Sequence, residues 1–289
     1  MKRIVILLLL ITGLYIIYNQ TSPFDWFSKS SNHSTQATMT NDIDVIDVDI
    51  SSVSTTIIPE NRKDVKAVYN GKDRLNVREH GDTIEVSVKR KGFWWFDWSP
   101  FSEKKKLKIY IPEDYHRNMR INLGSGNVNF SGQSKTNPIK LNELNLDIGS
   151  GNMNLKNMIV NHFKQNVASG NVEIHSLQTE TGSFDVNSGS LVVTEYTGPI
   201  QAEVSSGEVN FQVDKLTDSI DVEVSSGDVG LDLPNNADFT LDGDVSSGEI
   251  TCDLPLTSKH TKKKSIEGIH GSGKYKIDLD VSSGDIYIH

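Results

Sequence analysis

A Ser-Gly pair recurs along the second half of this 289-residue chain, with glycine at positions 126, 151, 170, 189, 207, 227, 248 and 284. Most intervals are 18 to 25 residues, and the last is longer because it holds an insertion around 259–273. A period near 20 is the signature of stacked repeats, in which one unit is too small to hide its own apolar side. Few other architectures tolerate such a pattern.

The flanks repeat as well. Three residues before each glycine stands Leu123, Ile148, Val167, Val186, Val204, Val224, Val245 or Val281. Two residues after it stands Val128, Met153, Val172, Leu191, Val209, Val229, Ile250 or Ile286, and four after it Phe130, Leu155, Ile174, Val193, Phe211, Leu231, Cys252 or Ile288. The apolar gap across the glycine is five residues, an odd number. An unbroken strand would turn one set of side chains outward. A corner between two strands removes that conflict, and glycine is expected there because it takes a positive φ without a Cβ clash. Coils stacked about 4.8 Å apart then close one continuous core, and eight of them make a rod of roughly 40 Å. Val-Ser-Ser-Gly stands intact at 204–207, 224–227, 245–248 and 281–284, each time followed by a carboxylate: Glu208, Asp228, Glu249 and Asp285. The serine hydroxyls are expected to bridge backbone groups at the corners, and the acids to face water or cap turn amides. Earlier coils carry Asn127, Asn152 and Asn171 at the same place, which argues against a calcium ladder.

Upstream, period-two alternation marks strands at 43–50, 53–58, 65–69, 74–77, 83–88 and 107–111. Residues 43–120 read as an N-terminal β module and 121–289 as the repeats. Residues 21–42 are rich in Ser, Thr, Asn and Gln and read as a flexible linker. Before it, Lys2 and Arg3 precede an apolar run from Ile4 to Tyr18. Fifteen helical residues span about 22 Å, short of the ~30 Å hydrocarbon core. No small-x-small cleavage site follows, and Phe24, Trp26 and Phe27 come just after. Residues 1–20 are therefore expected to form an uncleaved signal-anchor helix in the cell membrane, with the bulk of the chain extracytoplasmic under the positive-inside rule. The fold class is all-β, a single-stack parallel β-helix or solenoid with coils of about 20 residues behind that anchor.

Charge and cysteine narrow the function. The net charge is -9, and residues 201–258 hold 13 carboxylates against one lysine, Lys215. No arginine follows Arg120. Such a surface repels phosphate backbones, so nucleic acid is not expected as a partner. A single cysteine, Cys252, excludes an internal disulfide and a Cys-based zinc site; it occupies a repeat position filled elsewhere by Phe or Leu and reads as a small buried hydrophobe. The eight histidines have no zinc spacing and read as surface residues. Gly124-Ser-Gly126 and Gly271-Ser-Gly273 look phosphate-like, yet neither opens a helix. No catalytic, cofactor or metal residues are assigned, and no enzyme activity is expected.

One segment breaks the pattern. Phe93, Trp94, Trp95, Phe96, Trp98 and Phe101 crowd one stretch flanked by lysines at 89, 91 and 104–106. It reads either as a flap over the end of the solenoid or as a contact loop for membrane or protein.

The Ser-Ser-Gly-Asp/Glu-Val coils, with Leu107-Lys-Ile-Tyr-Ile-Pro112 leading to the first Gly-Ser-Gly coil at 124–126, resemble the bacterial putative-adhesin family of β-solenoids over about residues 44–289. With its short anchor, the layout is most similar to the LiaG-type membrane-anchored accessory proteins of a cell-envelope stress-response system. That resemblance implies a noncatalytic binding or scaffold role with envelope or sensor proteins as partners. A surface adhesin for a polymer or host ligand is the second reading. A polysaccharide-processing enzyme is the third, since other β-helices cleave glycans.

Overall fold

The computed structural model describes residues 33–89, 105–262 and 264–289. The expected anchor helix and the aromatic segment 93–101 lie outside them. Within them the chain is all β. The strands are β1 (His33–Thr38), β2 (Val45–Glu60), β3 (Asp64–Tyr69), β4 (Arg74–His80), β5 (Thr83–Lys89), β6 (Lys106–Pro112), β7 (Asn118–Ser131), β8 (Ile139–Ile148), β9 (Asn152–Val167) and β10 (Asn171–Val186). They continue as β11 (Ser190–Thr197), β12 (Ile200–Val204), β13 (Glu208–Lys215), β14 (Ile220–Val224), β15 (Asp228–Asp232), β16 (Phe239–Cys252), β17 (Thr257–Lys262), β18 (Ser265–His270) and β19 (Tyr275–Ile288). The alternation explains them: β12 and β14 each read buried–exposed–buried–exposed–buried. β1 corrects the reading of residues 33–38 as linker. Its side chains stay mostly exposed, so hydropathy hides it, and main-chain pairing with β3 makes it a strand.

The middle of the rod follows the repeat. Val172 pairs with Met153 and Leu191, and Val209 with Leu191 and Val229, all in parallel and one coil apart. The apolar triplets fall where the spacing put them: Val186, Val204, Val209, Phe211 and Val224 are at most 2% exposed. A second corner, unseen in the sequence, adds a third face. Asn157, Ser176 and Glu195 sit one coil apart with φ of 55°, 61° and 56°, and beyond them Met158, Leu177 and Tyr196 stack inward. In β13 an irregularity replaces that corner, and Tyr196 pairs with Val213.

The ends do not follow the repeat. β19, last in the chain, lies between β14–β15 on one side and β16 on the other. β16 is thus the outer coil, covered in turn by the antiparallel strands β18 and β17. The other end mirrors this. β2 lies between β7 and an outer coil made of β5 and β6, on which β4 and β3 pack antiparallel. At the rims the coils therefore do not stack in sequence order. A parallel edge left open there would template aggregation, and an antiparallel strand covers it. The strands form one continuous sheet around one core, which runs from Ile43 through the repeats to Ile288.

Candidate binding surface

The corners set the geometry of the outer surface. Main-chain bonds run straight through them: Ser205 N–H donates to the Val186 carbonyl (2.9 Å), Ser206 to Asn187 (2.7 Å), and Glu208 to Gly189 (3.1 Å). The next coil repeats this with Ser225 to Val204 and Ser226 to Ser205, both 2.8 Å. The backbone is satisfied by itself, so the expected hydroxyl bridging is not what closes these corners. Among the described residues only Ser125 Oγ, donating to the Ser51 carbonyl, makes such a bond at a corner. Ser205, Ser206, Ser225 and Ser226 instead present exposed hydroxyls along a ridge.

The role of glycine is corrected too. Gly126, Gly248 and Gly284 have positive φ, whereas Gly151, Gly170, Gly189, Gly207 and Gly227 do not. In those five the constraint is close approach between coils. A Cβ on Gly207 would lie 2.6 Å from the Gly189 carbonyl oxygen and 2.5 Å from Val186 Cγ1. The glycines stack on one another's carbonyls, and no side chain fits between.

Immediately after this ridge runs one outward column of ten residues. In spatial order it reads Lys106, Ser54, Asn127, Asn152, Asn171, Ser190, Glu208, Asp228, Asp285, Glu249. The asparagines form a ladder, Asn152 Nδ2 donating to Asn127 Oδ1 (3.0 Å) and Asn171 Nδ2 to Asn152 Oδ1 (3.1 Å). The acids cap amides of the next coil, as their position after the turn suggested. Asp228 Oδ1 accepts from Asp285 N–H (3.2 Å) and Asp285 Oδ1 from Glu249 N–H (2.8 Å). The exposed Tyr287 hydroxyl donates to Asp285 (3.3 Å), and the Asp285 charge, aided by Asp228 and Glu249, pushes its pKa up. The column is a charge ramp along the rod, from cation through neutral amides to anions.

On the adjoining face a second column alternates Asp49, Asn122, Asp147 and Asn166. With Gly124, Gly149 and Ala168 at the corner, these line an open groove of about 400 Å³ running along the stack. Asn122 Nδ2 donates to Asp47 (3.3 Å), whose carboxyl is pushed up by burial, with Asp49 and Glu85 adding to the effect and Arg120 opposing it. Sequence reading missed this groove, because outward residues of neighbouring coils are 19 or more positions apart in the chain. A smaller hollow of about 270 Å³ near Pro59 and Pro138 closes on itself, Gln133 donating to Glu113 (2.8 Å) and Asn137 to Gln133 (2.7 Å).

The remaining chemistry-bearing residues are structural. No group of three or more His, Cys, Asp or Glu converges for a metal among the described residues. Cys252 is half-buried, with its thiol pushed up by burial. His270 departs from the surface reading. It is buried, stacks on Phe239 (5.3 Å, 26°), and sets Nδ1 2.8 Å from the Pro255 carbonyl and Nε2 3.2 Å from that of Asn235. The Gly271–Gly273 turn does gather N–H groups as an anion nest does, and the chain's own Asp238 fills it. Ser272 N–H (2.7 Å), Lys274 N–H (3.0 Å) and Ser272 Oγ (2.6 Å) all donate to that carboxylate, holding its pKa low.

A family model spans residues 43–289, which is nearly all of the described fold. The chain belongs to the Toastrack DUF4097 family. No curated protein matches it. Among solved structures, the Toastrack chain is similar to a putative adhesin from Bacteroides fragilis NCTC 9343, at 14% identity and a TM-score of 0.54, covering 91% of this chain and 98% of that one. A putative lipid binding protein from Parabacteroides distasonis ATCC 8503 matches at 16% identity and a TM-score of 0.46, over 90% and 98% of the two chains. A putative adhesin from Parabacteroides merdae ATCC 43184 matches at 13% identity and a TM-score of 0.46, over 90% and 97%. At 14% identity the likeness to the B. fragilis structure speaks to the Toastrack fold alone.

Proposed function

We propose that this chain is a noncatalytic, membrane-anchored extracytoplasmic binding or scaffold protein, an accessory of a cell-envelope stress response. The observation that carries the binding role is the outer column of ten stacked polar residues beside a ridge of free serine hydroxyls. Flat periodic ladders offer repeated contacts to an extended partner, whereas catalysis needs acids and bases that converge on one point. The B. fragilis neighbour, a putative adhesin, supports binding as the role. The anchor and the stress-response setting come from the apolar run Ile4–Tyr18 and from the layout shared with LiaG-type accessory proteins.

A photo-crosslinking residue at Asn152 or Asn171, used in intact membranes, tests this. Capture of membrane sensor proteins is the expected result. Capture of wall polymer instead would favour a surface adhesin, the reading that the groove of Asp49, Asn122, Asp147 and Asn166 supports. Turnover of wall glycans by the pure protein, lost in Asp147→Asn, would overturn the noncatalytic role.

A further inference from the structure

We infer that the outer face of β3 and β6 is a docking surface for anionic lipid headgroups, on which the N-terminal end of the rod rests; this deepens the anchored reading above. Lys106 and Lys108 alternate outward from β6, and Lys66 from β3. Register sets Lys66 beside Tyr110 and Lys108 beside Val68, so cations, a ring and an aliphatic side chain share one plane. Lys63 is exposed just before β3.

The acids around this face are already matched. Arg62 pairs with Glu60 (2.8 Å) and Asp64 (2.9 Å) while lying over the Tyr110 ring, and Lys105 pairs with Asp73 (2.8 Å). No ion pair among the described residues engages Lys63, Lys66, Lys106 or Lys108. Lysines often guard exposed sheet edges. That does not account for Lys106 and Lys108, because β6 is an interior strand, with β3 on one side and β2 on the other.

The path of the chain says what covers this face. His33 pairs with Tyr69, and Tyr69 with Leu107, so the preceding residues join the fold at the rim of the same face. Between the apolar run ending at Tyr18 and His33 lie residues 19–32, which span about 50 Å at most when fully extended. A bilayer holding that run keeps this end of the rod near its surface. The column of ten then orients it: Lys106 is drawn to anionic headgroups, and Glu208, Asp228, Asp285 and Glu249 at the far end are repelled.

The test uses the full chain in vesicles of phosphatidylcholine, alone or mixed with phosphatidylglycerol, with brominated lipid as a quencher. One fluorophore is placed at Val68→Cys and another at Val192→Cys, each in a Cys252→Ser background. Quenching at position 68 on the anionic vesicles only, and none at 192, is expected. Lys66→Glu with Lys106→Glu and Lys108→Glu should lower the docked-to-undocked ratio at least about a hundredfold, since losing each lysine alone accounts for about a factor of five and each new carboxylate adds repulsion. Thermal melting by circular dichroism confirms that each variant folds. Equal quenching in the charge-reversed protein overturns the inference. So does a signal at 68 that needs a second copy, read as concentration-dependent energy transfer. Release of the chain by carbonate washing would refute the anchor instead; salt-sensitive flotation on anionic vesicles, lost in the triple variant, would still decide the face.

Discussion

The middle of the rod and its two rims obey different rules. Between β9 and β15 each coil packs on the next coil in the chain, and an apolar side chain recurs at the same inward places. At the rims β2 and β19 are threaded between coils that come later or earlier in the sequence, and antiparallel strands close the stack. The difference teaches that a repeat can specify stacking but not termination. Each rim needs its own long-range contacts, and a perturbation there should be felt locally, while one in the middle should spread.

The largest effect should come from Gly207→Val. Its Cβ has nowhere to go between the Gly189 carbonyl oxygen and Val186 Cγ1, so cooperative urea unfolding followed by circular dichroism should be lost or weakened by more than about 5 kcal/mol. The same comparison at a rim uses Gly81→Ala, in the β4–β5 turn. There φ is +62° and no atom lies within 4 Å, so the cost should be only about 1–2 kcal/mol. A similar loss at both positions would break the distinction.

Next in size is Phe184→Ala. Phe184 touches Phe163 (5.4 Å), Phe211 (4.9 Å) and Tyr196 (5.8 Å), tying its own coil to three others, and its removal should cost about 3–5 kcal/mol. Gln165→Leu should act in the opposite direction. Gln165 is fully buried in an inward column between Leu146 and Phe184, and neither amide atom meets a partner among the described residues. Leucine there should raise stability by about 1–3 kcal/mol in the same assay.

The smallest effect belongs to the C-terminal rim. Asp238 has its pKa lowered by the Ser272 and Lys274 donors, so its contribution is complete above the ordinary aspartate value of about 3.9. It should fade as pH falls below that value towards the folded one. Amide protection factors, corrected for the slower intrinsic exchange in acid, should then fall in β18 between pH 5 and pH 3 in the native protein, and already be low at pH 5 in Asp238→Ala. A uniform fall in protection along the whole rod would show that the rim is not a separate unit.

This contrast also explains what the sequence could tell. The period, the first corner and the inward triplets were legible because every middle coil spells them with the same residue classes. The second corner was not, because Asn157, Ser176 and Glu195 share a backbone conformation and no chemistry. The threading of β2 and β19 was hidden for a related reason. Their alternation matches any coil of the stack, so pattern alone cannot say which neighbour they choose. The candidate surface was half legible: the acids after the last four corner glycines stood out, while the lysine face and the Asp-Asn groove exist only once distant coils lie side by side.

The place of β19 has a consequence for how the molecule is made. Until residues 275–288 have emerged, β15 has no strand on its outer side and β16 has nothing to sit on. A nascent chain therefore carries an unsealed seam, and completion of the rod waits for the arrival of its final strand.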